Sequence, residues 1–302
     1  MALWILAVVL LAWGALELRK DRLRKRAFAF LSRFERLPAL GAYRQGLARS
    51  GFGGRRLPHA VLLVHGFSAS PAAFDALMLE LERRGIPYVA PALTGFGLDD
   101  FRLLERATAA DWRRDVRTSY DMLAGLAEEV SVVAISFGTL LAAELATELP
   151  VRDLVLVAPY FHLKDAGDRR AAAQLANPWL RAIALVAMAY VAKRVRPGRT
   201  EAVDIVDPSR AGRFFQYPTL PLRSLLAVWD FPRVADFRTL RCRRLTVAYG
   251  GQEQTADVPA FLADLAAQGV TPTVLAYPTS AHNLFDDLDA EAAAKAVAEL
   301  LA

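Results

Sequence analysis

Short apolar runs alternate with stretches of helical periodicity from residue 60 to the last helix, and this alternation limits the fold more than any other feature of the chain. Ala60–Val64 is apolar throughout, and Tyr88–Ala90, Val130–Ile135, Asp153–Ala158, Arg244–Tyr249 and Thr273–Tyr277 are further short β-rich segments. Between them lies a helix over Pro71–Arg84, with Phe74, Leu77, Leu79 and Leu81 expected toward the core. Another covers Ala109–Ala127, where Trp112, Val116, Tyr120 and Leu123 recur at helical spacing. A third runs through Glu148, and two more, at about residues 257–268 and 289–301, flank the last strand. Strands that are apolar throughout are buried on both faces, which requires a mostly parallel sheet with helices on each side. Ligands of such sheets bind beyond the carboxyl ends of the strands, so chemistry is sought in polar residues just past those ends.

The charge of the chain speaks to location. The formal balance is +5, from 37 Lys and Arg against 32 Asp and Glu. Residues 19–56 hold 12 basic and 2 acidic side chains, whereas residues 57–302 hold 25 and 29. A basic leader on a mildly acidic body does not match a nucleic-acid-binding surface, and none is expected. Residues 1–16 carry no charged side chain, and six of the eight residues from Arg19 to Arg26 are basic. Sixteen helical residues reach about 24 Å, short of a hydrocarbon core of roughly 30 Å, but Arg19 and Lys20 can snorkel. Because the positive charges follow the apolar run, residues 1–18 are expected to be an uncleaved anchor helix rather than a secretory signal. The remainder then lies in the cytoplasm by the positive-inside rule. Residues 19–57 form a basic juxtamembrane connector, read as an amphipathic helix and then loops or a weak hairpin. The single cysteine, Cys242, excludes an intrachain disulfide framework and a multi-cysteine metal site.

The alternation is interrupted over about residues 161–235. This segment does not look like sheet. It holds Trp179-Leu180, an apolar run over Ala182–Ala192, the basic group Lys193, Arg194, Arg196 and Arg199, and Phe214-Phe215. Eleven apolar residues are too few to span a bilayer. A helical cap inserted over the sheet is expected, with an apolar face lining a substrate cavity; contact with a membrane surface is the alternative.

Polar residues past the strand ends form a coherent set. Ser136 stands between an apolar strand and a helix in A-I-S-F-G, where a tight turn presents the hydroxyl and the helix N-terminus favours a developing anion. A serine alcohol needs a neutral imidazole to accept its proton. Of four histidines only His282 follows Ser136 in a loop just past a late strand. An acid should hold that imidazole's tautomer. Glu253 and Asp257 both qualify by location after the Arg244–Tyr249 strand; Glu253 is preferred because Asp257 suits a helix start, and Asp165 ranks third. In the His65-Gly66-Phe67-Ser68 loop, the N–H of Phe67, with that of Phe137, would form an oxyanion site. His65 is read as a structural hydrogen bonder. No H-E-x-x-H or other metal spacing occurs, and neither metal nor cofactor is expected.

These residues carry a resemblance to the α/β-hydrolase superfamily, in particular its carboxylesterase and monoacylglycerol-lipase-like group of serine aminopeptidase type. V-L-L-V-H-G-F-S-A-S-P resembles that group's oxyanion-loop strand, and P-A-L-T-G-F-G its loop after the next strand. A-I-S-F-G resembles the nucleophile elbow, G-G-Q-E the acid turn and S-A-H-N-L-F the histidine loop. The resemblance covers roughly residues 58–302. It implies an α/β fold, the α/β-hydrolase fold, with a mostly parallel central sheet flanked by helices; the inserted helical cap and the N-terminal membrane-anchor helix read above complete the expected architecture. It also implies a catalytic set of Ser136, Glu253 and His282. Three departures stand out: Ala134 replaces the first glycine of G-x-S-x-G, Phe96 replaces the histidine of G-H-G, and Glu253 stands where Asp is usual. The expected function is hydrolysis of small-molecule acyl esters, lipid-like ones first, through an acyl-enzyme. A thioesterase, acyltransferase or peptidase would use the same residues, and a membrane-tethered binding protein would use none of them.

Overall fold

The computed structural model describes residues 12–15, 18, 44–45, 57–96, 101–217 and 219–302. Nine strands occur among these residues: β1 Arg44–Gln45, β2 Leu57–Val64, β3 Tyr88–Ala90, β4 Ala127–Ile135, β5 Val151–Val157, β6 Tyr190–Ala192, β7 Thr219–Pro221, β8 Cys242–Gly250 and β9 Thr273–Tyr277. Seven form one sheet in the order β1-β3-β2-β4-β5-β8-β9, and every neighbouring pair is parallel except β1 with β3. β4 is therefore the central strand. The helices are α1 Asp75–Arg83, α2 Phe101–Arg106, α3 Ala109–Leu126, α4 Gly138–Glu148, α5 Ala166–Leu175, α6 Pro178–Ala187, α7 Pro208–Ala211, α8 Leu222–Trp229, α9 Val258–Ala267 and α10 Ala290–Leu301.

The apolar runs are buried on both faces because alternate side chains feed two cores. Leu62, Val64, Val132, Ala134, Leu154, Leu156 and Val247 pack with Trp112 and Val116 of α3, Leu140 of α4 and Phe261 of α9. Val61, Leu63, Val133, Ile135, Val155, Val157 and Ala248 face Leu77 of α1 and Val297 of α10. At about 25 cal/mol per Å² of apolar surface removed from water, such two-sided burial is the main force holding helices on the sheet. The expected strands are present, several longer than read. β4 begins at Ala127, where α3 passes directly into strand, and its polar start, Glu128-Glu129, hid the extension. Leu79 departs from expectation: it lies outside the core and is half exposed. The short helix α2 had no clear periodic signal.

The segment between β5 and β8 carries α5, α6, α7 and α8, but it also contains sheet, contrary to expectation. β6 and β7 form an antiparallel two-stranded ribbon. The apolar run splits because α6 closes at Met188, whose N–H donates to Ala184 O at 2.7 Å, and the chain then turns extended into β6. The second correction concerns α6 itself. It buries no residue, and Trp179 and Ile183 are 79% and 64% exposed, so its apolar face does not line an enclosed cavity.

The anchor over residues 1–18 and the connector over 19–57 fall largely outside the described residues. Residues 12–15 and 18 are helical and exposed. Among the described residues no helix is long and apolar enough to cross a membrane. Within the connector, Arg44–Gln45 forms the edge strand β1, antiparallel to β3.

Candidate active site

The carboxyl ends of β2, β4, β8 and β9 bring the singled-out residues to one place. Ser136 follows β4 with a φ of 53°, the left-handed region that a non-glycine residue enters at a cost of about 1–3 kcal/mol. The turn is held from both sides: Ser136 N–H donates to Val157 O at 2.9 Å, and Thr139 N–H donates to Ser136 O at 2.9 Å. Close approach explains the neighbouring glycines. A Cβ on Gly66 would lie 2.9 Å from that of Ser136, and one on Gly138 would lie 2.7 Å from His65 O. Ala134, in the place of a glycine, is fully buried in the core beside Val64, its pairing partner in β2.

His282 is buried and bonded at both ring nitrogens. Nε2 lies 2.8 Å from Ser136 Oγ and Nδ1 lies 2.6 Å from Glu253 Oε2. A carboxylate only accepts, so Nδ1 carries the proton and Nε2 is left to accept from the serine hydroxyl. Glu253 Oε1 accepts from the N–H of Thr255 at 2.6 Å and of Ala256 at 3.0 Å. Burial alone would push this carboxyl up, but His282 and the two amides outweigh it and hold it below the usual carboxylate range. Asp257 caps α9, accepting from Ala260 N–H at 3.3 Å, and Asp165 caps α5, accepting from Asp168 N–H at 2.8 Å. Of the three carboxylates considered, Glu253 is the one beside the imidazole.

The N–H groups of Phe67 and Phe137 have no acceptor among the described residues; Phe137 directly follows the serine, and Phe67 follows Gly66, which approaches the Cβ of Ser136. Their rings are set by an aromatic cluster. Phe96, in place of a histidine, lies 5.2 Å from Phe67 and 5.6 Å from Trp112, and Phe137 lies 5.2 Å from Trp112. His65 anchors the same loop: Nδ1 donates to Gly66 O at 2.8 Å and Nε2 accepts from Leu93 N–H at 3.0 Å. Burial pushes its pKa down to about 4, so it stays neutral and holds the loop. Another His–Ser–Asp contact occurs at the opposite end of the sheet, where His59 Nε2 lies 2.8 Å from Ser131 Oγ, which donates to Asp153 at 3.1 Å. Ser131 is fully buried within β4, which denies it a substrate; Ser136, at the strand end, is partly exposed.

The sequence reading missed a second layer. Asp287, fully buried, accepts from Ala281 N–H at 2.7 Å, from Val206 N–H at 2.9 Å and from Asp207 N–H at 3.0 Å, tying the histidine loop to the segment after β6. Asp204 and Arg199 form a buried pair at 2.9 Å. Asp204 also accepts from Gln254 N–H at 2.7 Å, and Arg199 donates to Gln252 O at 2.7 Å, so the pair braces the acid turn. Gly250 allows this turn to lie against the histidine loop, because a Cβ there would run into the carbonyl oxygens of Ser280 and Ala281. Only the glycine pair in G-G-Q-E offered a sequence signal for this layer. Among the described residues no cluster of three or more potential metal ligands occurs.

A buried acid, an imidazole and a serine in hydrogen-bonded series, beside two N–H donors, can activate an alcohol and stabilise an oxyanion. Known lipases and esterases are similar to parts of this chain. The chain is 30% identical over 116 residues to the thermostable monoacylglycerol lipase of Bacillus sp. (strain H-257), a match covering 38% of this chain and 44% of that protein. It is 28% identical over 107 residues to a carboxylesterase of Bacillus subtilis (strain 168), covering 35% and 43%. The matched stretches thus span less than half the length of these relatives. The fold resembles that of a thermostable carboxyl esterase from Bacillus coagulans, with a TM-score of 0.63 at 15% identity, covering 82% of this chain and 90% of that one. The model of the alpha/beta hydrolase family matches residues 61–300, and the chain belongs to that family.

Proposed function

We propose that this protein hydrolyses carboxylic esters, lipid-like acyl esters first, through a covalent acyl-enzyme. The observation that carries the reading is the continuous series from Glu253 through His282 to Ser136 at 2.6 and 2.8 Å. Ser136 Oγ attacks the acyl carbon as its proton passes to His282 Nε2. The carbonyl oxygen becomes an oxyanion between the N–H groups of Phe67 and Phe137. Collapse breaks the ester C–O bond, and the alcohol leaves with the proton from Nε2. Water then repeats the sequence in reverse roles and frees the acid and Ser136. Glu253 keeps the proton on Nδ1 and stabilises the imidazolium. The lipase and esterase relatives support the choice of an ester over a thioester or amide.

For organisation, we propose residues 1–18 as a membrane anchor, 19–57 as a basic juxtamembrane connector and 58–302 as the hydrolase domain, with the cap at about 161–235. The support for the anchor is the uncharged run of residues 1–16 followed by six basic residues in eight, which also argues for a cytoplasmic catalytic domain. Ser136→Ala should abolish hydrolysis of 4-nitrophenyl butyrate and labelling by a fluorophosphonate while the circular dichroism spectrum is retained. Turnover by the folded variant would refute the nucleophile.

A further inference from the structure

One cation beside the candidate site lacks the partner that its neighbours have. The basic group that follows β6 comprises Lys193, Arg194, Arg196 and Arg199. Arg194 meets Asp168 at 3.0 Å, Arg196 meets Asp168 at 3.5 Å, and Arg199 meets Asp204 at 2.9 Å. Lys193 makes no ion pair among the described residues. Its Nζ instead donates to two neutral oxygens, Ser68 Oγ at 2.7 Å and Gln216 Oε1 at 2.9 Å. An ammonium has three hydrogens, so these contacts leave one for a further acceptor. Ser68 is the residue after Phe67, and Gly66, one step earlier, approaches the Cβ of Ser136. The ammonium therefore stands against the loop that would hold the oxyanion.

We propose that Lys193 is a substrate-recognition residue that selects esters carrying a second, anionic group, a carboxylate or phosphate. This deepens the ester-hydrolase reading above and rests on it. A half-buried ammonium that meets only neutral oxygens has lost hydration without gaining a counter-charge. Burial, and next the Arg196 charge, push its pKa down to about 7, the mark of an under-compensated cation. A substrate anion would supply the missing charge and accept the third N–H. Ser68 and Gln216 hold the ammonium in place by their oxygens, so little reordering is needed on binding.

The test uses the full chain and matched pairs of esters. One pair is 4-nitrophenyl hexanoate and the mono-4-nitrophenyl ester of adipic acid, which differ by a terminal carboxylate. The other is a monoacylglycerol and a lysophosphatidic acid with the same acyl chain. The wild-type protein should favour the anionic member of at least one pair by about tenfold in kcat/KM, the worth of one charged hydrogen bond. The adipate pair reports a carboxylate on the acyl side, and the lysophosphatidate pair a phosphate on the alcohol side. Lys193→Met should erase the anionic-to-neutral ratio, and Lys193→Arg should keep most of it. A wild-type protein that turns over the neutral esters without preferring either anion overturns the Lys193 assignment and leaves the hydrolase reading intact. So does a Lys193→Met variant with an unchanged ratio. Inactivity on all four esters, with no fluorophosphonate label on Ser136, overturns both.

Discussion

Replacing Glu253 by glutamine should remove most activity through a proton placed on the wrong nitrogen, and the hydrogen bonds of Glu253 show why. Oε1 accepts from the N–H groups of Thr255 and Ala256 at 2.6 and 3.0 Å. In Glu253→Gln these two donors capture the amide oxygen, so the amide NH₂ must turn toward His282 Nδ1. Two donors cannot face each other; Nδ1 gives up its proton and Nε2 takes it. The imidazole then presents N–H to Ser136 Oγ and cannot accept from it. The same tautomer error in a serine triad costs roughly 10⁴-fold in kcat, close to 5.5 kcal/mol at 1.36 kcal/mol per factor of ten. The loss should fall on kcat rather than KM, measured with 4-nitrophenyl butyrate by stopped-flow and steady-state kinetics. Asp257→Asn, whose amide oxygen can still cap α9, should change both stability and kcat little. A loss below about tenfold for Glu253→Gln, or a larger kcat loss for Asp257→Asn than for Glu253→Gln, would refute this reasoning.

Two further expectations concern the groups around the site. Asp204→Asn breaks a pair whose side chains are 2% and 5% exposed and leaves Arg199 buried without its counter-charge, at a cost of about 3 kcal/mol. At 2–4 °C per kcal/mol for a domain of this size, the thermal midpoint should fall by about 6–12 °C, with a drop in kcat as the acid turn loosens; an unchanged midpoint would refute the bracing role. Asp286 is pushed up to about 7, by burial first and then by Asp75 and Asp287, against the pull of Arg210. Between its unfolded value near 4 and about 7 the native state holds a proton that the unfolded chain has released, so stability declines as pH rises through that window. Asp286→Asn should therefore stabilise the protein at pH 8 by no more than about 4 kcal/mol, raising the midpoint there, and change it little at pH 4. Equal midpoints at pH 8 in differential scanning calorimetry would count against it.

Much of this was legible in the chain because it is local. Apolar runs of five or six residues mark strands buried on both faces, and helical spacing marks α3 through Trp112, Val116, Tyr120 and Leu123. The turn residues around Ser136 mark a strand-to-helix elbow, since Gly66 and Gly138 are the positions that have no room for a Cβ. Local pattern failed where polarity masked a strand, as at Glu128-Glu129. It failed again where an apolar run took two structures, α6 and then β6.

The amino-acid sequence by itself determined the order of strands and helices, and with it the strand ends from which Ser136, Glu253 and His282 emerge. Which carboxylate reaches the imidazole was a tertiary decision. Glu253 and Asp257 are four residues apart, and only the docking of the β8 turn against the histidine loop, across Gly250, turns one to His282 and leaves the other capping α9. The bracing by Asp204 and Asp287, and the isolation of Lys193 from any carboxylate among the described residues, depend on contacts between segments about 50 to 125 residues apart. Such contacts carry no periodic trace, because they arise from how the segment after β6 folds back over the sheet, whereas periodicity records only which face of an element is buried.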